Sequence, residues 1–216
     1  MKNSAYYRAV ARDLMGKRWK TYGLGMLVAS LLSMVAGLIP YVGALALLLI
    51  TGAFSLSFAL ISLAFIKGQD IEIGNIFDGF KNFTNATLLA LHQMLLIFLW
   101  TLLFIVPGII KGYAYYMVFY ILAENPDMSS KDALAESKSL MEGHKFEFFK
   151  LQLSFIGWFI LSIFTFGILG FWLAPYVNIA TAVFYTDLKM ASYGTADPYG
   201  AKTEENFTVP EETTPQ

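Results

Sequence analysis

Long apolar runs with almost no interruption alternate along this chain with short segments that hold nearly all of its charge. Residues 22–66 contain no Asp, Glu, Lys, Arg or His, and residues 151–186 contain none either. A membrane-crossing helix needs about 20 mostly apolar residues, so each stretch has room for a helical pair. The pattern predicts six crossings, at 22–39, 44–66, 85–106, 107–123, 151–169 and 171–190. Three Pro-containing junctions look alike. Those at Pro40 and Pro107 read as tight helical hairpins, because proline suits the first turn of a helix, where its missing N–H leaves nothing unpaired. Pro175 is expected just inside the last crossing, after a turn at 167–170, and together the junctions suggest three hairpins. The expected fold is all-α: a polytopic transmembrane helical bundle with interfacial amphipathic helices.

The polar segments carry patterns of their own. Residues 1–21 form a basic lead in which Tyr6, Val10 and Leu14 recur every four positions, with Arg8 and Arg12 on another face. This predicts a helix lying on the membrane surface, where its cations attract anionic lipids. Trp19 and Tyr22 stand where an aromatic belt would hold the first crossing. Ile73, Ile76, Phe77 and Phe80 predict a short interfacial helix over 73–83. Ser129 or Ser130 is placed to cap another helix running to about Gly143. The first apolar run follows a long basic segment and no small-residue cleavage site follows it, so it is expected to be an uncleaved first crossing. Residues 194–216 hold one Lys against five acids among Pro, Thr and Gly, as expected of a disordered acidic tail. The transmembrane domain is thus expected over 1–193 and the tail over 194–216.

Composition agrees with this layout. Hydrophobic residues make up 56% of the 216 positions and charged residues only 14%, against about 25% charged in soluble domains; mean hydropathy is +0.56. A net charge of −1 argues against a nucleic-acid partner. The absence of cysteine excludes disulfides, thiol nucleophiles and Cys-ligated metals.

Charge also orients the chain. With six crossings and the N-terminus inside, 14 of the 15 Lys and Arg residues fall on the inner side and only Lys111 lies near an outer loop, the partition expected of cytoplasmic loops. Both termini are therefore expected in the cytoplasm. The Asn-x-Thr triplets at Asn82, Asn85 and Asn206 would lie on that side and read as chance matches.

Few residues offer chemistry. His92, with Gln93 beside it, is the one ionisable side chain inside the third crossing. It is either a neutral imidazole bonded to a neighbouring helix or a functional intramembrane group. Lys111 either snorkels to the outer headgroups or serves as an internal cation for an anionic ligand, with Tyr115 one turn below it. Small residues recur at Gly25, Ala29, Ser33 and Gly37, and again at Gly170, Ala174, Asn178 and Ala182. These stripes suit close helix packing inside the bundle, or a homodimer interface, with Asn178 able to hydrogen-bond across helices. Glu142, His144 and Glu147 are too few for a strong metal signal and read better as a solvated turn. No catalytic, nucleotide or metal motif is present, and no cofactor is expected.

Several segments carry a family resemblance: Ala11-Arg12-x-Leu14-x-Gly16-x-x-Trp19, the run from Phe104 through Pro107-Gly108 to Lys111 and Tyr113, and Tyr120 through Pro126. Ser137-Lys138, Gly143-His144-Lys145, Ser154 through Trp158, Pro175-Tyr176 and Phe184-Tyr185 extend it. Over about residues 5–190 the chain resembles the bacterial integral membrane proteins of domain-of-unknown-function family 975. The resemblance implies a cell-membrane location and a helical bundle, and brings no established activity or catalytic residues. The expected role is non-enzymatic: organising, regulating or assisting other membrane components, with a membrane protein or a second copy as partner. The alternative is a small transporter or exporter of a lipid-like or amphipathic peptide substrate.

Overall fold

The structure is a computed structural model that describes residues 3–16, 19–37, 42–165 and 168–194. Among these residues the secondary structure is helical throughout. In chain order the elements are α1 (Ser4–Met15), α2 (Trp19–Gly37), α3 (Val42–Ile66), a 3₁₀ helix (Ile73–Asn82), α4 (Phe83–Leu103) and α5 (Ile105–Ala114). They continue with α6 (Val118–Glu124), α7 (Ser130–Leu140), α8 (Lys145–Leu153), α9 (Ile156–Phe164) and α10 (Ile168–Tyr193). The segment expected to form the tail, the turn holding Pro40 and the Lys17–Arg18 pair lie outside the described residues. The same holds for the side chains of Trp19, Ser33 and Gly37.

Four helical stretches among the described residues are long and apolar enough to cross a membrane: Leu49–Ile66, Ile73–Leu103, Val106–Glu124 and Lys145–Phe164. Their outward faces agree, since Leu102, Ile163 and Phe164 are 75%, 76% and 77% exposed. Contiguous apolar surface of this kind is unfavourable in water and is what lipid covers. These are the features of a membrane protein.

The α4–α5 hairpin turns on a single extended residue, Phe104 (φ −157°, ψ 136°). Pro107 then falls in the first turn of α5, where it disrupts no hydrogen bond. Gly108 is required here: a Cβ would overlap Thr101 on α4. Pro175 is the eighth residue of α10, inside the last apolar helix as its place in the sequence implied.

Two predicted crossings are interrupted. The fourth, expected as one helix over 107–123, is split into α5 and α6 by residues 115–117, and the fifth is split into α8 and α9 at 154–155. Neither break contains Gly or Pro, so local sequence gave no sign of it.

The polar segments are less peripheral than their patterns implied. Asn3 caps α1, its side chain accepting from the Ala5 N–H at 2.8 Å. The apolar face of this helix, expected to rest on a membrane surface, packs against α10 instead. Tyr7, Val10 and Ala11 are buried, Tyr7 meets Phe184 edge to face at 5.2 Å, and the Tyr176 hydroxyl donates to the Arg8 carbonyl at 2.7 Å. Arg12 remains exposed. A stripe at spacing four cannot by itself distinguish a lipid surface from a protein one.

The interfacial helix expected over 73–83 is a 3₁₀ helix. It buries Ile76 and Gly79 against α3 and leaves Ile73 and Phe77 outward. The Gly79 N–H donates to Ser57 Oγ at 2.9 Å, and a Cβ at residue 79 would collide with the Ala53 carbonyl. Ser129 caps α7, accepting from the Asp132 N–H at 3.2 Å. Thus α1, the 3₁₀ helix and α7 are each packed against a long apolar helix: α10, α3 and α4 respectively.

Candidate functional site

Two polar assemblies and one cavity stand out from the apolar interior. The first surrounds the α5–α6 break. Where a helix stops, its last carbonyls lose their intrahelical donors, and in an apolar setting each must find another. Gln93 Nε2 donates to the Tyr115 carbonyl at 3.1 Å, and Ser137 Oγ donates to the Ala114 carbonyl at 2.9 Å. One residue from Gln93, His92 Nδ1 lies 3.1 Å from Ser130 Oγ. Both ends of α7 are therefore tied to the same level of the α4–α5 hairpin. Gln93 stands ten residues before Leu103, where α4 ends, about 15 Å along the axis at 1.5 Å per residue. A hydrocarbon core is about 30 Å thick, so α7, with Lys131, Asp132 and Lys138 exposed, crosses the bundle near the middle of α4.

The second assembly joins four helices. The Ser62 hydroxyl donates to the Phe58 carbonyl at 2.7 Å. The Tyr22 hydroxyl lies 3.0 Å from Ser62 Oγ and also reaches the Phe58 carbonyl at 3.4 Å. The Asn178 side chain lies beside the Tyr22 hydroxyl, and the Asn178 carbonyl accepts from the Tyr120 hydroxyl at 3.2 Å. Tyr120 stacks on Tyr185 with ring centroids 5.5 Å apart. At the end of α6, Glu124 Oε2 accepts from the Tyr185 hydroxyl at 2.7 Å and pairs with Lys189 at 2.6 Å. Sequence reasoning singled out Asn178, read Tyr22 only as an interfacial aromatic anchor, and passed over Glu124 and Lys189. Glu124 had offered one signal, as an acid closing the apolar run that begins at Tyr120.

The remaining sequence candidates have plainer surroundings. Lys111 Nζ sits 4.8 Å from the centroid of the Trp100 ring, a cation–π arrangement across the α4–α5 hairpin. His144 Nδ1 lies 2.9 Å from Glu147 Oε2, and Glu142 is exposed. No group of three metal-capable side chains occurs among the described residues. Gly25 faces Ile76 of the 3₁₀ helix, Gly170 faces Ser162 of α9, and Ala29 and Ala182 are buried while Ala174 is half-buried. The described part of both stripes thus meets neighbours within the same chain. Asn82 and Asn85, which head two of the Asn-x-Thr triplets, both donate to the Pro126 carbonyl, at 2.6 and 3.1 Å.

The cavity lies between α3, the 3₁₀ helix and the end of α6, with a volume of about 540 Å³. This is within the roughly 300–1,000 Å³ of small-molecule sites. Its apolar lining is formed by Leu56, Leu60, Ile61 and Ala64 of α3 with Leu122 and Ala123 of α6. Its charged lining is Asp70, Asp78 and Asp127 with the cation Lys81. Lys81 is committed to Asp78 at 2.8 Å, and Asn75 also donates to Asp78, at 2.7 Å. No sequence motif marks this site, because its walls come from segments about sixty residues apart.

Comparison with known proteins gives one result. A family model described as "Protein of unknown function (DUF975)" matches residues 103–192, the family that the motifs resemble. The matched segment runs from the α4–α5 turn to the end of α10 and is shorter than the 5–190 over which the motifs were read. No curated protein and no solved structure matches.

Proposed function

Starting from that family match, which brings no activity with it, we infer that this chain is a six-crossing protein of the cell membrane. Its crossings pair as three hairpins and both termini lie in the cytoplasm. Its role is non-enzymatic: it organises, regulates or assists other membrane components. The support for the orientation is the segregation of charge along the sequence: with six crossings and the N-terminus inside, 14 of the 15 Lys and Arg residues fall in segments assigned to the inner side, the arrangement favoured when cationic loops stay in the cytoplasm.

The accessory role is supported by how the polar groups are used. His92, Gln93, Ser137, Tyr22, Asn178 and Glu124 each bond to another helix of this chain, as structural groups do. A nucleophile, its base and an orienting third group would instead converge on one point. The exposed face of α7, with Lys131 and Lys138, and the exposed Arg12 of α1 offer cationic docking surfaces for a membrane partner or for anionic lipid headgroups.

The transporter reading is favoured by one specific feature, the α5–α6 break near the middle of the bundle, since discontinuous helices are used by carriers to build substrate sites. Reconstitution into liposomes separates the two. The accessory role predicts no flux of labelled lipid, amphipathic peptide or ion under an imposed gradient. Flux that is lost when Gln93 and Ser137 are replaced would establish the transporter instead.

A further inference from the structure

We propose that Arg8 and Arg12 of α1 hold the phosphate of an anionic phospholipid beside Tyr176 of α10. The Tyr176 hydroxyl donates to the Arg8 carbonyl at 2.7 Å and accepts from the Arg12 side chain, with the Arg8 charge next to it. Two guanidinium groups thus converge on one hydroxyl. Among the described residues the ion pairs are Lys81–Asp78, His144–Glu147 and Lys189–Glu124, and no carboxylate pairs with either Arg. Asp187, the acid of α10, stands eleven residues beyond Tyr176, about 16 Å along the axis. Arg8 Nε is moreover a buried donor that meets no acceptor among the described residues. A cation in that state favours an anion that brings oxygens of its own.

The depth of this pair selects the ligand. Tyr176 meets Phe155 edge to face at 5.3 Å, and Phe155 lies near the midpoint of Lys145–Phe164, a stretch long and apolar enough to cross a membrane. Uncompensated charge at that level of a bilayer is costly, so the site draws an anion inward along α1, where Arg12 is exposed. A phosphate has several oxygens to share between two guanidinium forks. A membrane lipid carries that phosphate on acyl chains, and the outward Ile156, Phe159 and Ile160 of α9 start beside Phe155 and give the chains an apolar track. A zwitterionic headgroup brings an ammonium that the two Arg charges repel, which favours lipids of net negative charge.

This inference rests on the docking reading above and deepens it to one lipid site. The full chain is placed in nanodiscs of zwitterionic phospholipid doped with a photoreactive lipid, either phosphatidylglycerol or phosphatidylcholine with the same acyl chains. The phosphatidylglycerol probe is expected to label the peptides holding residues 156–160 and Tyr176 in preference to the other. That labelling should fall roughly five- to thirtyfold in an Arg8→Gln, Arg12→Gln variant, the effect of removing two basic residues from an anionic surface. An unchanged melting temperature in undoped discs shows that the variant is folded, and Arg12→Gln alone, at an exposed position, should lose part of the labelling. Lys131→Gln, Lys138→Gln on α7 should keep it, and excess inorganic phosphate, which has no chains to bury, should not displace the lipid. Equal labelling by both probes at this site, displacement by inorganic phosphate, or labelling insensitive to the Arg substitutions overturns the proposal. An equal fall in the α7 variant also overturns it and leaves diffuse electrostatic docking standing. No preference for the anionic probe anywhere on the chain would remove the docking reading itself.

Discussion

The Gln93 side chain bridges to the Tyr115 carbonyl at 3.1 Å, across the hairpin and at the point where α5 stops. An amide from one helix thereby replaces the backbone donor that a continuous helix would have supplied. Ser137 does the same for Ala114, so the interruption is held open from two sides.

Replacing Gln93 by Leu should leave the Tyr115 carbonyl, in an apolar setting, with only the long 3.4 Å bond from the Val118 N–H. The expected loss is about 1–3 kcal/mol of stability, read as a lower melting temperature of the detergent-solubilised protein. Ser137→Ala should cost a similar amount, and the double variant should depart from additivity because both residues hold one break. Two single variants as stable as the wild type would show that the break persists without them.

Neither residue announces this role in the sequence. The long apolar helices were legible because hydrocarbon burial imposes long uncharged runs, and α7 because Ser129 precedes a helical pattern. The breaks at 115–117 and 154–155 were not, since the local residues favour continuation and the decision lies in contacts from α4 and α7. The docking of α1 on α10 was illegible for a related reason: Tyr7 and Ala11, buried there, continue the same periodicity that a lipid-facing helix shows. The cavity was invisible because its apolar lining looks like ordinary crossing residues.

Glycine positions give a contrast with an internal control. A Cβ at Gly52 would overlap the Ala86 backbone, and one at Gly79 the Ala53 carbonyl, whereas nothing lies near Gly112 or Gly157. Gly52→Ala and Gly79→Ala should each destabilise by about 1–3 kcal/mol through overpacking. Gly112→Ala and Gly157→Ala should be neutral or slightly stabilising, helix propensity favouring Ala by up to about 1 kcal/mol. Thermal unfolding in detergent ranks the four.

Glu124 holds two partners on α10, the Tyr185 hydroxyl at 2.7 Å and Lys189 at 2.6 Å. Tyr185→Phe removes one neutral partner and should cost about 1 kcal/mol. Glu124→Leu removes the shared acceptor and leaves a half-buried ammonium behind, so it should cost more, about 2–3 kcal/mol. A Glu124→Leu, Lys189→Met double variant should recover part of that loss. Denaturant titration of the four proteins provides the comparison, and no recovery would mean that the two charges are not coupled.

Asn82, at the end of the 3₁₀ helix, and Asn85, in the first turn of α4, fasten the turn at Pro126. Alanine at both positions should free residues 125–129 and raise the rate of proteolytic nicking there, with little change in global melting. Equal nicking rates in variant and wild type would show that the turn is held by other contacts.

The placement of charge on one side of the membrane is open to a direct reading, because the chain has no cysteine of its own. Single cysteines at Phe104, in the α4–α5 turn, and at Gln69 and Ser139, both exposed and in the charged segments expected in the cytoplasm, are treated in intact cells with a membrane-impermeant thiol reagent. Phe104→Cys should react at once, and the other two only after the membrane is opened. Labelling of Gln69→Cys or Ser139→Cys in intact cells, with Phe104→Cys protected, would contradict the account.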